Sequence, residues 1–371
     1  NKKPLSMSLA EGKKSVVPVP KPKPDGKQKL SSGPLPQLNI QRNYHHPAEQ
    51  QFAAGMIRDY FRKFSKDKTI NQVPKWLLDE NSFYVSVDNF FYKLNEDMDV
   101  QWWFEAQQED KIVGRAALSD DALFLSTKLG YLYNVDKETG QMRWMLPIGR
   151  EIVYEPLIYR SFLFLIIKDG EDHFLMKLKG INGELEWKKK LVGFEKPSPV
   201  TISIDTRLVL ITDPNGSLLC LDANNGNAYW QKKKLGPLLA PATAVGEMAF
   251  VATTDARAYG IQLRRRTVVW EYELKGGTGQ AFTYLPLYND VAVMTNEGYL
   301  HLINAKTGEG RWYYQTNNKQ PEKSVQALRL SNKDMRKQNM ESSKEGWALM
   351  APCLSDRLCF INPEKGQLMS R

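Results

Sequence analysis

From about residue 73 onward, polar and apolar positions follow one order that recurs along the chain. A short half-apolar run precedes a nearly unbroken apolar one. A third apolar run then enters a turn rich in Asp, Asn and Gly, and a fourth carries a tryptophan. In Tyr131 to Trp144, Y-L-Y-N-V-D-K-E-T-G-Q-M-R-W, Trp144 stands four residues beyond Gly140. Glycine takes the positive φ of a tight turn at no steric cost, and Asp136 and Thr139 are placed to bond back to turn amides, so the stretch predicts strand, turn, strand. Leu218 to Trp230 and Leu300 to Trp312 repeat it almost column for column, with Gly226 and Gly308 in the turn. Leu175 to Trp187 keeps Gly183 and the tryptophan, and Tyr259 to Trp270 keeps only the tryptophan and the apolar lead-in. Phe90 to Trp102 lacks the glycine, while Leu358 to Ser370 keeps Gly366 and has Ser370 in the tryptophan's place.

Trp102, Trp144, Trp187, Trp230, Trp270 and Trp312 are spaced by 40 to 43 residues. A period of this size marks the blades of a β-propeller, each of four strands. First strands are expected at Val73 to Leu78, Arg115 to Leu118, Pro156 to Tyr159, Pro199 to Ile202, Pro241 to Ala244, Pro286 to Tyr288 and Val325 to Leu330. Second strands are expected at Phe83 to Val87, Ala122 to Ser126, Phe162 to Ile167, Arg207 to Thr212, Met248 to Thr253, Val291 to Thr295 and Trp347 to Ala351. The second strands are nearly all apolar, as strands covered on both faces are. Together they predict an all-β, seven-bladed β-propeller over residues 73–371, with Ser331 to Gly346 as a polar surface insertion in the last blade.

Charge changes the picture only at the N-terminus. Residues 1–47 hold nine Lys or Arg against two Asp or Glu, with V-P-V-P-K-P-K-P from Val17 to Pro24, so most of the formal +9 lies there. Such a segment buries too little apolar surface to fold, and a disordered, extended Lys/Pro-rich tail is expected. Over 48–72, Phe52, Met56, Ile57, Tyr60, Phe61 and Phe64 recur at steps that fall on one helical face, predicting one short amphipathic helix and a linker. The helix is expected to dock on the propeller or to bind a partner. No apolar run approaches the roughly 18 residues of a membrane helix. Because residue 1 is Asn, a removed preceding segment is expected, either a cleaved secretory signal or a truncation.

Candidate chemistry is sparse. Cys220, Cys353 and Cys359 form no even framework and no C-x-x-C pair, so they are expected as small core residues rather than disulfides or zinc ligands. His45 and His46 read as an exposed pair, and His173 and His301 fall on third strands with no nucleophile and base arranged beside them. Neither a phosphate-binding glycine loop nor a nucleophile elbow occurs. Three basic triplets stand beside tryptophans of consecutive blades: Lys188, Lys189 and Lys190; Lys232, Lys233 and Lys234; Arg264, Arg265 and Arg266. On outer strands such residues guard a sheet edge. The functional alternative is a single outer rim that brings all three together to contact an acidic partner or an anionic membrane surface. Nucleic acid is the least favoured partner, because no aromatic residues interleave with the triplets to stack bases.

The Asp/Asn-Ala-x-x-Gly-x-x-x-Trp pattern, preceded by Gly-x-Leu-Tyr or Gly-Ser-Leu-Leu, resembles the repeat of the pyrroloquinoline-quinone-like (PQQ-like) β-propellers over roughly residues 73–371. The resemblance implies that the tryptophans above, with Gly140, Gly183, Gly226, Gly308 and Gly366, dock neighbouring blades and are structural. Quinone-dependent dehydrogenases of that family use an adjacent Cys-Cys pair with Glu, Asn and Asp around calcium. No residues here match that apparatus, so no cofactor, metal or catalytic residue carries over. The resemblance to the family's non-enzymatic, BamB-like envelope scaffolds is better. It implies a protein-binding scaffold in a multi-subunit bacterial envelope complex, periplasmic or envelope-associated. A quinone-dependent enzyme and a ligand-sensing propeller are the alternatives.

Overall fold

The computed structural model describes residues 75–79, 82–87, 89–95, 100–107, 110–319, 325–329, 346–353 and 358–370. The expected tail over 1–47, the helix and linker over 48–72 and the insertion up to residue 345 lie outside the described residues. Within them the elements are strands in seven antiparallel sheets, each following sequence order. Sheet one holds β1 (Lys75–Asp79), β2 (Ser82–Val87), β3 (Phe90–Leu94) and β4 (Val100–Glu105). Sheet two holds β5 (Ile112–Leu118), β6 (Ala122–Thr127), β7 (Tyr131–Asp136) and β8 (Met142–Pro147). Sheet three comprises the short β9 (Glu151–Ile152), then β10 (Leu157–Tyr159), β11 (Phe162–Asp169), β12 (Asp172–Lys179) and β13 (Leu185–Lys190), β9 pairing with β11. Sheet four is β14 (Thr201–Ser203), β15 (Leu208–Asp213), β16 (Ser217–Asp222) and β17 (Ala228–Lys232). Sheet five is β18 (Thr243–Val245), β19 (Met248–Ala252), β20 (Arg257–Gln262) and β21 (Thr267–Glu273). Sheet six is β22 (Thr283–Leu285), β23 (Asp290–Met294), β24 (Tyr299–Asn304) and β25 (Gly310–Gln315). Sheet seven is β26 (Gln326–Arg329), β27 (Trp347–Pro352), β28 (Leu358–Ile361) and β29 (Leu368–Ser370).

The two-residue period of a strand explains why the second strands are nearly all apolar. Successive side chains point to opposite neighbours, and both neighbours are apolar. Leu163 packs with Leu132 of sheet two, while the next residue, Phe164, packs with Val209 of sheet four. Leu210 joins Ile261 of sheet five, Phe250 joins Val291 of sheet six, and Leu302 joins Leu349 of sheet seven. Fourth strands lie outermost in their sheets and alternate charged or exposed residues with the tryptophan, as in Leu185–Lys190. The antiparallel order puts the turns joining first to second and third to fourth strands at one end of every blade, the turn end. The remaining turns and the connections between blades lie at the other, the link end.

Short first strands hold to one another through side chains. Thr201 Oγ1 donates to Ala242 O at 2.8 Å, Thr243 Oγ1 to Phe282 O at 2.7 Å, and Thr283 Oγ1 to Val325 O. One expected first strand is corrected: Pro286 to Tyr288 is the turn after β22, where Tyr288 N–H donates to Leu285 O and Asn289 has φ +50°. A proline cannot donate to a ladder, and here it opens a turn.

The cysteine expectation is also corrected. Cys353 and Cys359 form a disulfide with a Cα–Cα distance of 5.7 Å across the β27–β28 hairpin, where Cys359 faces Ala351. Counting three cysteines concealed a pair that a hairpin brings together. Cys220 alone is a buried thiol, which burial pushes up to about 12. Closing a loop this short removes about 2 kcal/mol of denatured-state entropy at 25 °C. Replacing Cys353 and Cys359 together by serine should therefore lower stability by about that amount, and reductant should lower the unfolding midpoint of the parent but not of the double variant.

Candidate functional site

The third-to-fourth turns share one construction. Asp136 O accepts the Gly140 N–H at 2.9 Å, while Asp136 Oδ1 accepts the N–H groups of Glu138 at 3.0 Å and Thr139 at 2.8 Å. Asp222, Asn304 and Asn362 cap their turns through the same oxygen. The turn closes only when its last residue is left-handed, and φ is +70° at Gly140, +71° at Gly183 and Gly226, +78° at Gly308 and +64° at Gly366. Beyond it, the register shifts beside the residue facing the tryptophan, as between Asn134 and Val135 opposite Trp144 or Leu302 and Ile303 opposite Trp312. A bulge there bends the outer strand and re-aims the ring toward the next sheet.

Each of the six tryptophans then bonds to that sheet, and all but Trp230 also rest on its turn glycine. The indole N–H donates to a turn carbonyl: Trp102 to Lys137 O and Trp144 to Gly180 O, both at 3.2 Å; Trp187 to Asn224 O at 2.9 Å; Trp230 to Leu263 O at 2.8 Å; Trp270 to Ala305 O at 2.9 Å; Trp312 to Pro363 O at 2.8 Å. At the five turns that end in glycine, the ring lies on that glycine. A Cβ built at Gly140 would stand 2.7 Å from Trp102, at Gly226 2.8 Å from Trp187, at Gly308 2.5 Å from Trp270 and at Gly366 2.6 Å from Trp312. At Gly183 the space is looser, with Leu146 at 3.2 Å and Trp144 at 3.4 Å.

The basic triplets are not brought together. Lys188, Lys189 and Lys190 end β13, and Lys232, Lys233 and Lys234 end β17 or follow it, so both reach the link end. Arg264, Arg265 and Arg266 form the turn before β21, at the turn end. A fourth strand separates these positions by roughly 15–20 Å, which corrects the expectation of one rim: the lysines follow their tryptophans and the arginines precede theirs. Several are engaged locally. Lys188 Nζ stands 4.2 Å from the Phe174 ring centroid, Lys190 pairs with Asp172 at 2.6 Å, and Arg264 with Glu247 at 3.1 Å.

His301 is buried on β24, its Nε2 accepting the Lys275 N–H at 3.1 Å and its Nδ1 lying 3.4 Å from Tyr272 Oη. Acceptance at Nε2 puts the proton on Nδ1. Burial first, and the Lys275 charge second, push its pKa down to about 4. His173 is buried on β12, and His45 and His46 lie outside the described residues. Among the described residues no three His, Cys, Asp or Glu side chains converge as a metal site.

Four-stranded blades, capped glycine turns and ring-on-glycine docking together define a β-propeller of the PQQ-like repeat class. The family model described as outer membrane protein assembly factor BamB matches residues 176–369, and the chain belongs to that family. A curated relative, outer membrane protein assembly factor BamB of Shewanella oneidensis, is 27% identical over 230 residues, covering 57% of this chain and 55% of the relative. The chain thus spans about half the length of the curated relative it matches. The crystal structure of BamB from Moraxella catarrhalis superposes with a TM-score of 0.61 at 18% identity, covering 80% of this chain and 86% of that one. A europium-containing methanol dehydrogenase superposes at 0.59 with 10% identity, covering 80% and 77%, and the quinohemoprotein alcohol dehydrogenase of Comamonas testosteroni at 0.58 with 10% identity, covering 80% and 66%. At such identities these likenesses speak for the fold.

Two outcomes test the geometry. Gly308→Ala incurs both the left-handed backbone cost and the overlap with Trp270, and should lose roughly 2–4 kcal/mol. Gly149→Ala, at φ +68° with nothing within 4 Å, should lose only about 1 kcal/mol; equal losses in urea titrations would show that the ring contact is not tight. For His301 the unfolded chain binds the proton below about pH 6.5 and the folded chain only below about pH 4. Stability should therefore fall as pH drops through that window, by about 3 kcal/mol from this group, and level off below it. His301→Gln should remove that share of the slope in pH-dependent urea unfolding.

Proposed function

We propose that the chain is a non-catalytic interaction scaffold of a bacterial cell-envelope complex that assembles outer-membrane proteins, acting in the periplasm or against the envelope. Family membership supports this reading, and one structural observation carries it: the Asp, Asn, Gly and Trp residues of the repeat are spent on capping turns and docking blades. The surface left to others is made of loops and of the exposed outer strands. Ile181 and Ile204 are the most exposed large apolar residues at the turn end, and Leu129, Val192 and Leu239 at the link end. A disulfide between Cys353 and Cys359 suits an oxidising compartment. The quinone-dependent alternative rests on the fold, which by itself confers no activity; its adjacent cysteine pair has no counterpart in the sequence.

In this reading the propeller over 73–371 is the binding unit, the segment over 48–72 joins it to the tail, and the basic residues of 1–47 tether it. The test is tagged full-length chain, cross-linked in its own host's envelope and purified. Outer-membrane assembly proteins should co-purify with it. Recovery of none of them would overturn the proposal, as would reproducible dye-linked oxidation of alcohols or sugars after addition of pyrroloquinoline quinone and calcium.

A further inference from the structure

Sheet five departs from the turn rule. Where five other turns end in glycine, this one ends in Arg266, held at φ +62°. A left-handed residue with a Cβ costs roughly 1–2 kcal/mol. The turn is otherwise intact: Arg266 N–H donates to Gln262 O at 2.9 Å, and Gln262 Oε1 accepts the Arg265 N–H at 2.6 Å, taking the part Asp or Asn plays elsewhere. In return the Arg266 guanidinium sits 4.7 Å from the ring centroid of Tyr229, on the preceding sheet. Stacking fixes the plane of the guanidinium fork and leaves its N–H edge for an anion. The exposed Arg265 side chain has no partner among the described residues, and Glu247 steadies Arg264. Next along the chain, Val268 and Val269 are exposed on β21, the outermost strand of its sheet.

We propose that Arg265 and Arg266, framed by Tyr229, Val268 and Val269, dock an extended acidic segment of a partner protein, carboxylates on the guanidinium groups and small apolar side chains on the valines. The proposal rests on the scaffold reading and names its partner's chemistry. Charge selects the partner, since among the described residues the one carboxylate in an ion pair with the arginine triplet is that of Glu247. A membrane fits less well: the valines are short where interfacial anchors are Trp, Phe or Leu, and the lysine triplets face the opposite end of the blades.

Arg266→Gly is the informative variant because it restores the residue found in the other turns. The probe is a fluorescent octapeptide alternating glutamate with valine and serine, titrated into full-length protein, with a lysine-for-glutamate peptide as control. The native chain should bind the acidic peptide in a salt-sensitive manner and ignore the control. Arg266→Gly should bind at least tenfold more weakly while melting no lower than the parent, and Arg265→Ser with Val269→Ser should weaken binding equally with unchanged melting. Unaltered binding in these variants would overturn the proposal, as would arginine-dependent binding to phosphatidylglycerol vesicles without peptide binding. Because this titration contains no envelope protein, its failure alongside successful co-purification would reject this surface and leave the scaffold standing.

Discussion

The indole of one blade resting on the turn of the next is the contact on which the other features depend. A tryptophan on an outer strand brings a large apolar face and one hydrogen-bond donor that must be satisfied when buried. The turn opposite provides both partners: a carbonyl turned toward the N–H and a glycine whose missing side chain lets the ring lie flat. Each demands the other. Without the left-handed residue the carbonyl is misplaced, and with a Cβ on that residue the ring is lifted off by the 2.5–2.8 Å approaches at four of the turns.

The same interfaces are fastened again nearer the inside. Alternating residues of each second strand pack toward opposite neighbours, and three consecutive first strands reach across through threonine hydroxyls. Outer indole, middle apolar layer and inner hydroxyl therefore act at three radii of the same blade pair. Burial of the apolar layer supplies most of the favourable energy, at about 25 cal/mol per Å². The polar contacts fix register, because a strand slipped by one residue would aim every apolar side chain at the wrong neighbour.

Most of this was legible in the sequence because period and turn chemistry are local. Tryptophan spacing marked the blades, and Asp136 to Gly140 announced the turn that Asp222, Asn304 and Asn362 reproduce. What escaped was decided by three-dimensional direction. The lysine and arginine triplets look equivalent beside their tryptophans, yet following or preceding Trp on a strand means opposite ends of a blade. Cys353 and Cys359 met because a hairpin folds six residues back on themselves, and no count of cysteines contains that. Pro286 stands in the sequence like Pro156, Pro199 and Pro241, which precede strands, yet β22 has already ended at Leu285. The left-handed Arg266 has a sequence signal of its own, since it occupies the turn position that glycine holds in the neighbouring repeats.

Nearest-neighbour fastening has a consequence for function. When each interface is closed by its own ring, turn and apolar layer, a change in one turn is felt by the adjoining sheets and little beyond them, as in other repeat architectures. Sheet five shows the allowance in use. Trp230 keeps its bond to Leu263 O although the turn ends in arginine, and the stacking duty of that turn passes to Tyr229, one residue before the tryptophan. The fold thus tolerates an unfavourable backbone at one blade without surrendering the indole contact that holds the blade in place. A scaffold built this way can place a charged, partner-specific turn at one point of its rim while the remaining turns continue to serve packing alone.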